Sequence, residues 1–98
     1  MKWNGKKTTE LCEAILSLET TDEVKSFLRD LMTEEEIIEC AQRWNVARLL
    51  DKQVSYENIQ KQTGLSSRTI ARISLWLHSG MNGYRLIIDR LNHHITIS

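Results

Sequence analysis

The sequence contains no proline and only four glycines in 98 residues, so almost nothing in it breaks a helix. No apolar run approaches the ~18 residues that a membrane span requires. The first ten residues, MKWNGKKTTE, are basic but lack the apolar core of an export signal, which predicts a cytoplasmic protein. There are two cysteines, Cys12 and Cys40, and they form no C-x-x-C pair. Both fall in amphipathic patterns and are expected to be buried free thiols. Glycine-rich phosphate loops, nucleophile elbows and metal-ligand spacings are missing too, which argues against an enzyme. Of the three histidines, His93 and His94 are adjacent and His78 stands alone, a spacing that suits surface positions better than a metal site.

What remains is a charged, helix-forming chain. An apolar fraction of 41% and a charged fraction of 27% belong to a globular protein, and the length suits one domain. Net charge is zero, but it is unevenly spread. Residues 10–39 carry ten acids against Lys25 and Arg29, whereas residues 43–90 carry eight bases against three acids. A polyanion would be drawn to the second half and repelled by the first.

Helix signals follow one another along the chain. Thr8 or Thr9 can cap a first helix with Leu11, Ile15 and Leu18 on one face. Thr20 with Glu23, and Thr33 with Glu36, fit capping boxes for a second and a third, the third running to about Lys52. The acids Glu34, Glu35 and Glu36 sit where a helix dipole favours negative charge. Ser55 opens a fourth helix that Gly64 ends, and Ser66 opens a fifth that runs to about Ser79. Gly80 and Gly83 bracket a break before a last amphipathic helix with Tyr84, Ile87, Ile88 and Leu91. Trp3, Trp44 and Trp76 are expected as packing anchors. The fold class is therefore all-α, a bundle of about six helices, as one domain over 8–93 with flexible tails at 1–7 and 94–98. The first two helices are short and single-striped, which favours pairing with a second copy.

The most informative segment is YENIQKQTGLSSRTIARISL, residues 56–75. Ile59 and Thr63 precede the Gly64 turn, and Leu65, Ile70 and Ile73 follow it, at the offsets two steeply crossed helices require. Ser66 caps the second of them, and Ser67, Arg68, Thr69 and Arg72 come next. Such a helix can lie in the DNA major groove with its first turns toward the bases. Gln60 stands where many helix-turn-helix units have a small packed residue, and Glu57 would lie close to phosphates. The alternative, favoured by Glu57 and the acidic first half, is a protein-interaction adaptor that keeps the fold without binding DNA.

Together, AQRWNVARLL (41–50), SYENIQKQTGLSSRTIAR (55–72) and GMNGY (80–84) resemble the tryptophan repressor superfamily, most closely its YerC/YecD branch. The resemblance runs from about Leu11 to Leu91. It implies a six-helix Trp-repressor-like bundle, an intertwined homodimer, and two reading heads at about 55–79 on double-stranded DNA. The implied activity is that of a transcriptional regulator, most simply a repressor. The implied DNA-facing residues are Ser66, Ser67, Arg68, Thr69 and Arg72, with Tyr56 and Gln60 from the first helix of the pair. The family's effector pocket maps onto Arg43, Thr33, Thr69 and Arg72. Ile73 and Trp76 stand where the family has a glycine and a serine that helps hold the ligand's amino group, and they fill the space its indole needs. L-tryptophan is therefore not expected to bind, no cofactor is implied, and the resemblance names no other small-molecule effector.

Overall fold

The computed structural model describes the backbone of residues 2–97, folded as six α-helices with no strand among them. They are α1 (Lys6–Leu16), α2 (Thr21–Leu31), α3 (Glu34–Asp51), α4 (Tyr56–Thr63), α5 (Ser67–Ser79) and α6 (Gly83–Ile97). By their contacts the residues group into two compact units, 1–37 and 38–98.

In the first unit, α1 opens at Lys6, ahead of the Thr8 and Thr9 caps expected from sequence. Both threonines lie inside its first turns and donate back along the chain, Thr8 Oγ1 to the Trp3 carbonyl and Thr9 Oγ1 to that of Gly5. Residues 6 and 7, expected in a flexible tail, are thus helical. The Thr20 cap forms as expected, with the Glu23 N–H donating to its hydroxyl at 3.1 Å. The Glu23 carboxylate accepts from the Glu19 N–H at 2.9 Å. Neither α1 nor α2 contains a buried residue.

The start of α3 is a reciprocal capping box. Glu36 N–H donates to Thr33 Oγ1 at 3.1 Å, and Thr33 N–H donates to the Glu36 carboxylate at 2.9 Å. The Thr33 N–H, then the Thr33 hydroxyl, hold the Glu36 carboxyl below the ordinary glutamate range.

The second unit holds the core: Val46 and Ala47 of α3, Ile59 of α4, Ile70, Ile73 and Leu77 of α5, and Ile88 of α6. Helix α5 packs against both α4 and α6. Helix α3 ends in a left-handed residue, Gln53 at φ 64°, with Gln53 N–H donating to Leu50 O and Val54 N–H to Leu49 O. Its far end is tied to α6 by Arg85, whose Nη1 donates to Asp51 Oδ1 at 2.6 Å and to Asp89 Oδ1 at 3.2 Å. Those two carboxylates, Asp51 first, make the guanidinium harder to deprotonate than a free one. Helix α6 continues to Ile97, so residues 94–97, expected in a flexible tail, are helical; the sequence has no proline or glycine after Gly83 to stop it. Met1 and Ser98 lie outside the described residues.

Three sequence expectations about burial need correcting. Cys12 and Cys40 are exposed rather than buried, because α1 buries no residue and the buried residues of α3 begin at Val46. Trp3 precedes α1 in the same coreless stretch and is 69% exposed. Trp76 falls beside the buried stripe of α5 and is 53% exposed. Trp44 alone acts as an anchor, packing on the core and stacking on Tyr84 at 6.3 Å between centroids.

Candidate nucleic-acid interface and adjoining cleft

The α4–α5 pair is assembled by local chemistry. Ser55 Oγ accepts from Asn58 N–H at 3.2 Å and caps α4. Gly64 sits at φ 75°, a left-handed conformation that glycine adopts without steric cost, and its N–H closes α4 onto Gln60 O at 2.8 Å. Within the turn, Thr63 Oγ1 donates to Ile59 O and accepts from Leu65 N–H. Ser66 then caps α5, its Oγ accepting from Thr69 N–H at 3.2 Å and lying 3.1 Å from Thr69 Oγ1.

Helical periodicity assigns the remaining faces of α5. Ile70, Ile73 and Leu77 form the inward stripe, at 0%, 3% and 4% exposure. Arg68, Ala71 and Leu75 lie on the opposite side and are exposed. Thr69, Arg72 and Trp76, spaced i, i+3, i+7, run along one flank. The side chains of Ser67, Arg68 and Arg72 are exposed and form no hydrogen bond or ion pair with the described residues. The hydroxyls of Ser66 and Thr69 are committed to the cap. On α4, Tyr56 and Gln60 are exposed, so Gln60 does not pack beneath α5. Glu57 is exposed as well, and Lys61 Nζ lies 3.5 Å from its carboxylate.

Behind the Thr69–Arg72–Trp76 flank lies a cleft of about 220 Å³ lined by Arg43, Thr69, Arg72, Ile73, Trp76 and Tyr84. Five of the six residues that the sequence assigned to an effector pocket meet here. The sixth, Thr33, belongs to the first unit, where its hydroxyl and N–H are engaged by Glu36. Tyr84 is a wall that the sequence did not assign; its stacking with Trp44 is a contact between α6 and α3 that no local spacing reports. A second recess of about 300 Å³ shares Arg43, Thr69 and Arg72 and adds Glu39, Gln42 and Leu65. Arg43, like Arg72, has no hydrogen-bond or ion-pair partner among the described residues. Beyond Trp76 and Tyr84 opens a larger apolar cleft that includes Trp44, Met81 and Ile87. Among the described residues, no group of His, Cys, Asp and Glu is placed to hold a metal ion, and no helix is long and apolar enough to cross a membrane.

Comparison with known proteins matches this arrangement along nearly its whole length. The family model described as Trp repressor protein matches residues 6–92. The YerC protein of Bacillus subtilis strain 168 is 38% identical over 97 residues, which are 99% of this chain and 93% of that one. The solved structure of a TrpR-like protein from Eubacterium eligens is 36% identical with a TM-score of 0.87, over 92% of this chain and 93% of its own. A solved structure from Staphylococcus aureus, also 36% identical, superposes with a TM-score of 0.85 over 94% of this chain and 95% of its own.

Proposed function

The chain belongs to the Trp repressor family and has its six-helix fold, and we propose that it is a homodimeric transcriptional regulator, most simply a repressor, that reads double-stranded DNA in the cytoplasm. The observation that carries this reading is the outward face of α5, where Arg68 and Arg72 stand exposed and unpaired beside Ser67. Unpaired guanidiniums at the start of a docked helix suit phosphates or the O6/N7 edge of guanine. Ser67 supports them directly. Ser66 and Thr69 act chiefly by shaping the N-terminus of α5, and Tyr56 and Gln60 contribute from α4. The dimer reading draws on α1 and α2, which bury nothing in a single chain, and on exposed apolar residues such as Leu16 at 84% and Met81 at 81%.

Replacing Arg68 and Arg72 together with alanine should abolish retention of a duplex selected from a random DNA pool, with helicity unchanged. Specific binding that survives the double substitution would move the reading surface off α5. The adaptor reading is favoured by Glu57, exposed on α4. It predicts no binding to genomic fragments at any salt, whereas phosphate neutralisation gives an affinity that falls steeply with salt.

L-tryptophan is not the effector in this reading. Ile73 and the indole of Trp76 line the same cleft as Arg43 and Arg72, where a ligand's ring would need space. Saturable micromolar binding by calorimetry would overturn this.

A further inference from the structure

An element that a small molecule switches must have two arrangements of similar free energy, and it is drawn from the less stable parts of a fold. Helix α5 is built in the opposite way. Of the seven core residues, four come from the α4–α5 pair: Ile59, Ile70, Ile73 and Leu77. The core is therefore in large part the inner face of the reading head itself, so α5 cannot tilt without uncovering it. Both ends of α5 are also capped by bonds within the helix, which resist fraying. Ser66 and Thr69 close the N-terminus. At the C-terminus the Gly80 N–H donates to Trp76 O, and the backbone passes so close to that carbonyl that a Cβ at position 80 would collide with it. Ile73 occupies the decisive place. At 3% exposure it belongs to the core, yet it also lines the cleft with Arg43, Thr69 and Arg72.

We infer that the reading head is rigid without any ligand, that Ile73 is the positioning residue that sets the tilt of α5 in the core, and that DNA binding is consequently effector-independent. The last clause rests on the DNA-binding reading; the mechanical claim does not. Regulation then lies in the amount of protein or in its assembly, not in the angle of the head.

Hydrogen exchange on the extensively dialysed full chain tests the mechanical claim without DNA. The amides of residues 70–77 should exchange as slowly as the slowest amides of α3, and millimolar L-tryptophan should leave them unchanged. Exchange more than about tenfold faster than in α3 would overturn the inference, as would slowing by tryptophan. Ile73→Val should keep both the protection and the affinity for a selected duplex. Ile73→Ala should loosen α5 selectively and weaken that affinity, with the salt dependence of binding unchanged because the phosphate contacts remain. Equal protection of α5 in Ile73→Ala and wild type would also count against it. If Ile73→Ala does not fold, the wild-type exchange pattern still decides. If the wild type binds no DNA, the proposed function falls while the exchange result stands.

Discussion

Ile59→Ala is the most quantitative probe of how the α4–α5 helix-turn-helix is held. Helix α4 has eight residues, and Ile59 is its single buried one among those described, at 0% exposure. The substitution removes three buried carbons, which at ~0.8 kcal/mol each gives ~2.4 kcal/mol of transfer free energy. The cavity left between α4 and α5 adds about 1 kcal/mol, giving ~3–4 kcal/mol in all, inside the usual range for buried isoleucine. For a chain of this length that corresponds to a fall in Tm of roughly 12–30 °C. Urea unfolding followed by circular dichroism at fixed protein concentration measures it, with the slope m expected to stay at its wild-type value. Leu75→Ala is the control: it lies on the exposed side of α5, at 56% exposure, and should change stability by less than about 0.5 kcal/mol. A loss below ~1 kcal/mol for Ile59→Ala, or one no larger than the control's, would refute the packing of α4 against α5.

Gly80→Ala should destabilise the chain more than a typical surface substitution, because the new Cβ meets the backbone of Trp76 and not a movable side chain; thermal unfolding against wild type checks this. Gln53→Gly should raise stability by about 0.5–1 kcal/mol, since a left-handed residue with a side chain gives way to one that adopts φ 64° freely; chemical denaturation reads it. The start of α3 should fray in acid. The folded-state pKa of Glu36 is lowered, so its contribution is complete above the ordinary glutamate value of 4.5 and is lost as the pH falls below it; the protection of the Thr33 amide, taken relative to its intrinsic exchange rate at each pH, should fall there, and in Glu36→Gln that acid-dependent fall should be absent.

The helices were legible in the sequence because their signals are local. Thr20 and Thr33 cap the helices that their spacing with Glu23 and Glu36 predicts, and Ser55 and Ser66 cap the two helices they were expected to open. The Gly64 turn and the buried stripe of Ile59, Ile70 and Ile73 follow from periodicity alone. Locality also explains what was misread. A threonine that could cap α1 looks the same as one in its first turn, and only the chain before it, at Gly5, decides. Cys12 and Cys40 have apolar neighbours at helical spacing, but burial depends on what packs against that face. Within one chain no residue of α1 or α2 is fully buried.

The candidate site divides along the same line. Arg68 and Arg72 could be read as outward because the stripe of Ile70 and Ile73 leaves them off the buried face. The convergence of Arg43 with Thr69, Arg72, Ile73 and Trp76 could not be derived from spacing, since Arg43 is on another helix; the family resemblance supplied it. Tyr84 escaped both routes. Its place in the cleft depends on the turn at Asn82, a left-handed residue at φ 68°, and on the stack with Trp44. Thr33, assigned with the others, is engaged in the α3 cap.

The salt dependence of DNA affinity in wild type and in Arg68→Ala tests the assignment of α5 as the reading helix most directly. On a selected duplex, log K against log salt should be steep for the wild type. In Arg68→Ala its slope should be shallower by about one per reading head, or about two for a dimer, if the guanidinium neutralises a phosphate. If Arg68 contacts a base instead, the slope holds, and the loss of ~1–3 kcal/mol is confined to one position of the site. An Arg68→Ala protein with the wild-type slope, affinity and sequence preference would contradict the assignment.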